Sequence, residues 1–244
     1  MTDWDIFRSA CIALFSGQNP YLVGQGEMRF YNPAWTLLPI APLAAFPPVI
    51  GLLLNALVSL IALLFVSRKL KLSLLEFFLL EISPMHLQSM IFGNIEWLPL
   101  LGLLFPAPIA MLFFSTKPQS TIGLMLLLLW KEWKERRWKG VLFTLAPTVF
   151  CFLLSTILWG LPPIPGFNNP GQHSLFPFSL LVGIPVLIMA LRTKEERLAA
   201  FVGPFVSPYV TFHGYLPALL PFKGKWMVIA VIISFLPVIL RIVA

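Results

Sequence analysis

Continuous apolar runs, not alternation of apolar and polar positions, set the rhythm of this chain, and Leu-rich runs of that kind predict helices. Residues 3–16 (DWDIFRSACIALFS) read as a short amphipathic helix, capped by Thr2 or Asp3 and stopped by Gly17. A polar loop rich in Gly, Asn, Pro and Tyr follows over 17–33, then a short apolar helix over 34–46 that ends at Pro47–Pro48. Residues 49–67 form the first run close to the roughly 20 residues a helix needs to cross a bilayer. A return helix is expected over 72–90, carrying Glu76, Glu81 and His86. Beyond Gly93–Asn94, the pieces 95–105 and 109–116 are each too short to span and read as broken or half helices around Pro106–Ala107–Pro108. Residues 120–130 then lead to a basic loop. Spans are expected at 140–160, 175–191 and 226–243, with shorter pieces at 198–207 and 209–222.

Composition turns this pattern into a fold class. The 244 residues are 58% hydrophobic and only 11% charged, too few charges to cover a soluble domain of this length. Backbone groups in lipid must bond internally, which leaves helices or a closed barrel. The expectation is an all-α, polytopic integral membrane bundle with several short or broken helices and an amphipathic N-terminal helix. It forms one domain over 1–244, in which 1–33 is the non-cytoplasmic helix and loop and 34–244 the transmembrane bundle.

The formal charge of +7 would suggest nucleic acid in a soluble protein. Here most of the 17 basic residues sit in four clusters between apolar runs: Arg68–Lys71, Lys131–Lys139, Arg192–Arg197 and Lys223–Lys225. That is the positive-inside pattern, so these loops are expected in the cytoplasm and residues 1–33 outside, with membrane lipids rather than nucleic acid as partners. Trp130, Trp133 and Trp138 flank the richest cluster as interfacial aromatics. Cys11 and Cys151 lie far apart in apolar settings and read as packed thiols.

Polar groups at membrane depth are costly, so each is a functional candidate. By this topology the non-cytoplasmic side collects Asp3, Asp5, Arg8, Glu27, Arg29, His86, Glu96, Lys117, His173 and His213, a mixture of acids, bases and imidazoles. Lys117 offers a fixed cation for an anionic group, or snorkels from a half-helix end. Glu81 is expected to pair with His86 or a neighbouring helix.

Several motifs resemble the GT-C membrane glycosyltransferases, in particular the bacterial branch that takes mannose from a polyprenyl phosphate. Asp3-Trp-Asp-Ile-Phe7 followed by Ala10, Ala13 and Gly17-Gln-Asn-Pro-Tyr21 is similar to that family's first outer loop. Tyr31-Asn-Pro33 with Leu37-Leu-Pro-Ile-Ala-Pro-Leu43, Pro84 with Gly93-Asn94, Lys117-Pro-Gln119, and Ser207-Pro208 with His213 and Tyr215 recur in the family's order. The resemblance implies hexosyl transfer, mannosyl-like, from a polyprenyl-phosphate sugar to a lipid-linked or envelope acceptor at the non-cytoplasmic face of a bacterial plasma membrane. It aligns Asp3 with the family's catalytic carboxylate, the base for an acceptor hydroxyl. Lys117, His213, Tyr215 and Arg29 become contacts to the donor phosphate or sugar, with Asp5, Glu27, Glu96 and Gln119 as secondary candidates. Neither a metal nor a cofactor is implied, the sugar donor being a substrate.

The family carries a transmembrane helix before its first outer Asp, whereas here Met1 stands two residues before Asp3. Asp3 is therefore expected on a fraying terminus, unless the 3–16 helix holds it or a partner subunit supplies the missing helix. Two other readings stay open: a non-catalytic structural or lipid-binding subunit with a degenerate GT-C fold, and a small transporter built on broken helices.

Overall fold

The computed structural model describes residues 2–25, 28–164 and 172–243. Among the described residues the regular structure is helical, apart from a hairpin of two-residue strands, β1 (Gly24–Gln25) and β2 (Met28–Arg29), and an isolated bridge between Gln172 and Thr211.

Helix α1 (Asp3–Phe15) begins with a capping box. The Thr2 hydroxyl accepts from the Asp5 amide at 3.3 Å, and the Asp5 carboxylate accepts from the Thr2 amide at 2.7 Å. The cap is therefore Thr2, and Asp3 is left to point elsewhere. The buried face of α1 carries Trp4, Phe7, Ala10 and Cys11. Trp4 fixes the start of the helix. Its indole Nε1 donates to the Pro48 carbonyl at 3.0 Å, and its ring is wedged between two glycines, Gly51 and Gly93. A Cβ at Gly93 would stand 2.4 Å from Trp4 Cβ, and one at Gly51 would stand 2.6 Å from Trp4 Cζ2. The expected fraying does not occur, because a fully buried tryptophan sits one residue from Asp3.

Helix α2 (Leu37–Ala44) packs on α1, and α3 (Pro48–Lys69) is 22 residues long. The expected helix over 72–90 is instead two, α4 (Leu74–Glu81) and α5 (Pro84–Phe92). Ser83 caps α5 and Pro84 occupies its first position, where a missing amide donor costs nothing. Helix α6 (Trp97–Leu100), a 3-10 turn over Leu101–Leu104 and α7 (Ala107–Phe114) realise the expected broken pieces.

Helix α8 (Pro118–Trp159) corrects the expected loop between 130 and 140: the basic segment is helical, with its only non-helical residue at Arg137 (φ 55°, ψ −145°). Lys, Glu, Arg and Trp are adequate helix formers, and the strong formers among them carry the helix to the turn. A straight helix of 42 residues would be about 63 Å long. Yet Ile122 and Met125 from one end and Thr148 and Phe152 from the other line the same cavity. The helix doubles back at Arg137, and its two arms run antiparallel.

Helices α3 and α8 are long and apolar enough to cross a membrane. They expose Leu53, Leu57 and Ile61 on α3 and Phe143, Phe150 and Ile157 on α8, an outward apolar surface that calls for an apolar surrounding. Two expected spans fall short. Helix α9 (Leu180–Thr193) starts late, after Pro177, and its 14 residues reach about 21 Å. The 226–243 run is divided into α11 (Lys225–Ser234) and α12 (Leu236–Val243) around Phe235, where Pro237 offers no amide to the preceding turn. Between them lie α10 (Glu196–Val206) and a 3-10 helix over Phe212–Leu219.

Two hydrophobic clusters hold the helices together. One gathers Trp4, Phe7, Tyr21, Phe30, Leu37, Ile40, Ile95 and Leu98 under α1. The other gathers Leu63, Leu80, Leu100, Leu124, Leu127, Ala199 and Leu216. The first arm of α8 crosses α10 at backbone contact, since a Cβ on Gly123 would lie 2.1 Å from the Ala199 carbonyl and one on Gly203 2.2 Å from that of Ser120.

A buried polar network beneath an apolar cavity

These elements enclose a cavity of about 990 Å³ whose walls are mostly apolar, among them Phe7, Trp35, Ile122, Met125 and Phe152. Its polar lining comes from widely separated parts of the chain. Asp3 enters from the first turn of α1, Asn94 from the turn after α5, Lys117 and Gln119 from the start of α8, and Thr211 and His213 from the far C-terminal segment.

Asn94 joins these segments. Gly93 ends α5 in the left-handed region (φ +71°), and the turn directs the next side chain under Asp3. The Asn94 Nδ2 group donates to Asp3 Oδ2 at 2.6 Å, while its Oδ1 accepts from Lys117 Nζ at 2.8 Å and from the Ile95 amide at 2.7 Å. Its backbone carbonyl accepts from Asn55 Nδ2 at 3.2 Å.

Lys117 precedes Pro118 at the head of α8 and is buried beside Glu96, with which it forms an ion pair. Glu96 is fully buried; its Oε2 accepts from the Ser120 hydroxyl at 3.1 Å, and its Oε1 lies 3.6 Å from His213 Nε2. Two charges taken out of water in this way need each other and further hydrogen bonds, and both have them. His213 lies outside the helices long enough to span; burial first, then the charges of Lys117 and His173, hold its imidazole well below the usual range and keep it neutral. The Thr211 hydroxyl sits 2.8 Å from the same His213 nitrogen.

The remaining expected site residues fall in different places. Arg29 is exposed at the edge of the cavity on β2, and Gln119 lines it. Glu96 lies behind the wall and acts through Lys117. Tyr215 does not line the cavity: its hydroxyl donates to the His173 carbonyl at 3.0 Å, and its ring packs edge-on against Phe205. Asp5 is also outside the lining, its carboxylate taken up by the Thr2 cap. Glu27 lies outside the described residues. His86, grouped by topology with the outer residues, lies apart from the cavity. Its Nδ1 pairs with Glu81 Oε2 at 2.9 Å and its Nε2 meets the Ser59 hydroxyl at 2.9 Å. Among the described residues no group of three or more His, Cys, Asp or Glu could hold a metal ion.

Ser120 carries no signal that singles it out in sequence, and Asn94 stood out only as part of the Gly93-Asn94 motif, with nothing to show which groups it holds. An asparagine after glycine reads as a turn residue, and a serine in a helical first turn reads as a cap. No family model, no curated protein and no solved structure matches this chain.

Proposed function

We propose that the cavity is the active site of a polytopic GT-C-type membrane glycosyltransferase that moves a hexose, mannosyl-like, from a polyprenyl-phosphate donor to a lipid-linked or envelope hydroxyl. One observation carries the reading. Asp3, Asn94, Lys117 and His213, four residues from motifs that resemble the family's and lie far apart in sequence, meet at a single cavity. The apolar walls suit a prenyl chain, and the polar floor suits a sugar phosphate.

In this mechanism the acceptor oxygen attacks the anomeric carbon and gives its proton to the Asp3 carboxylate. The bond between the anomeric carbon and the phosphate oxygen breaks, and polyprenyl phosphate leaves with the electron pair. Lys117, with one ammonium hydrogen beyond those given to Glu96 and Asn94, faces the departing phosphate, while Gln119, Arg29 and neutral His213 contact the phosphate or sugar.

The membrane orientation follows from the same reading. The first arm of α8 begins at the cavity and reaches the Lys131–Lys139 tip after about 28 Å, near the thickness of a hydrocarbon core. Helix α3 likewise starts beside Trp4 and ends at Arg68–Lys69. With the basic tips cytoplasmic in a bacterial plasma membrane, the cavity sits at the non-cytoplasmic side.

A second reading, a non-catalytic lipid-binding subunit, draws on the Lys117–Glu96 pair, which already satisfies much of the cation. Transfer in nanodiscs from labelled polyprenyl-phosphate mannose and glucose, comparing wild type with Asp3→Asn, separates the two. The expected result is transfer that the substitution abolishes while the protein remains folded. Lipid-phosphate binding without transfer from either donor would favour the subunit, and transfer that survives Asp3→Asn would remove Asp3 as the base.

A further inference from the structure

We infer that Asn94 is the positioning residue for the base: its side-chain amide fixes the Asp3 carboxylate so that Oδ1 meets the acceptor, and ties that carboxylate to the Lys117–Glu96 pair. This inference rests on the transferase reading above.

The orientation of the amide is decided by its partners. The Ile95 amide and the Lys117 ammonium can only donate, so the atom they both reach, at 2.7 and 2.8 Å, is the Asn94 oxygen. The NH2 group must then face Asp3, and it does, at 2.6 Å from Oδ2. Asn94 cannot swing away. It is buried, its amide N–H donates to the Ser89 carbonyl at 2.7 Å, and its carbonyl is held by Asn55, whose Oδ1 in turn accepts from Trp97 Nε1 at 3.0 Å.

Two consequences follow for the chemistry. With Oδ2 occupied by a donor, Oδ1 is the oxygen left for an acceptor hydroxyl arriving from the cavity. The same amide oxygen is bound to the cation assigned to the leaving phosphate, so one side chain sets the spacing between the two halves of the reaction. The other charged and titratable groups near Asp3 are Asp5 and Arg8 on its own helix, Arg29 and His173 elsewhere on the wall, and Glu96 and His213 behind Lys117.

Asn94→Asp is the sharpest variant. It preserves shape and both bonds at Oδ1, but replaces the donor facing Asp3 with a second carboxylate, and two carboxylates at that distance share a proton. The acid limb of the pH–rate profile for transfer should move upward by about one unit or more, and kcat at neutral pH should fall roughly a hundredfold, with the donor KM changed by less than about threefold. Asn94→Ser removes the bonds to Asp3 and Lys117 without adding charge, and it should lower kcat. Both are read in nanodiscs beside wild type and Asp3→Asn, with the melting temperature as a check of folding. If Asp3→Asn abolishes transfer but either folded Asn94 variant keeps the wild-type kcat and acid limb, Asn94 does not position the base. Absence of wild-type transfer defeats the transferase reading and this inference with it, whereas transfer that survives Asp3→Asn leaves the transferase reading standing, removes Asp3 as the base and overturns this inference alone.

Discussion

Gly17 and Gly93 form a matched pair that separates backbone strain from packing. Both adopt the left-handed conformation, at φ +72° and +71°. Around Gly17 nothing lies within 4 Å of an added Cβ, whereas at Gly93 the added atom would meet Trp4 Cβ at 2.4 Å and Leu52 Cδ1 at 2.7 Å. Gly17→Ala therefore carries the conformational cost alone, about 1–2 kcal/mol. Gly93→Ala carries the same cost plus overpacking of about 1–3 kcal/mol, and the nearest obstacle, a Cβ fixed to the backbone of α1, cannot rotate aside. At about 2–4 °C per kcal/mol for a chain of this size, Gly17→Ala should lower the melting temperature by several degrees and Gly93→Ala by roughly twice as much. Thermal unfolding in one detergent or nanodisc preparation, with both variants and wild type side by side, provides the comparison. Gly93→Ala should also shift Trp4 fluorescence in a background where other tryptophans are replaced, because relief of the clash moves α1 away from α5. Equal destabilisation by the two variants, or an unmoved Trp4 signal, would refute the account of α1 as pinned through Trp4.

Three further outcomes follow from the same structure. His86→Ala leaves the Glu81 carboxylate buried without its imidazole and should cost roughly 3–5 kcal/mol, while His86→Leu combined with Glu81→Leu should cost less than the single change; chemical denaturation of wild type and the two variants measures the difference. Burial pushes the Cys11 thiol, outside the spanning helices, up to about 12, so Cys11 should resist iodoacetamide at pH 8 in the folded protein and react once it is unfolded, as mass spectrometry of the labelled peptide will report. Burial tends to raise Glu76 at the start of α4, but bonds from the Ser73 and Gly224 amides and the Ser73 hydroxyl, with the charge of Arg197, bring its carboxyl below the ordinary value on balance. A depressed carboxyl contributes stability above the unfolded value and loses it as pH falls through the folded one, so stability should drop below about pH 4.3, and Glu76→Gln should flatten that slope in a pH series of melting temperatures.

Local signals explain which parts of this fold could be read from sequence. Helix α3 was legible because a mostly apolar run of 22 residues leads from Pro48 into Arg68–Lys69 with no competing pattern. Helix α1 was legible through Thr2 and Gly17, although its hold on the bundle was not, because Trp4 depends on two glycines 47 and 89 positions further on. The division of 72–90 was marked by Ser83-Pro84, a start signal inside an apolar run that otherwise looks continuous. The basic segment misled in the other direction: charge density suggested a loop, but Lys131 to Arg136 sustain the helix, with Glu132 facing Arg136 one turn on at 3.9 Å. At the site, charge on the expected outer side marked Asp3, Glu96 and Lys117, and the family resemblance gave Asp3 and Lys117 their roles. The link that Asn94 makes between Asp3 and Lys117 was hidden, since its bond to Asp3 spans 91 positions and leaves no periodic trace.

The cavity takes its walls from both extremes of the chain, Asp3 near the beginning and His213 near the end. A ribosome delivers those walls in order, so Asp3, Asn94 and Lys117 can be assembled well before the segment carrying Thr211 and His213 exists. During that interval the Lys117–Glu96 pair lacks the His213 imidazole, which otherwise lies 3.6 Å from the Glu96 carboxylate. Completion of the site thus waits for residues 207–213, which follow Lys117 by some ninety positions. A chain cut before residue 207 would retain the bonds from Asn94 to Asp3 and Lys117 yet lack the part of the cavity wall that carries Thr211 and His213.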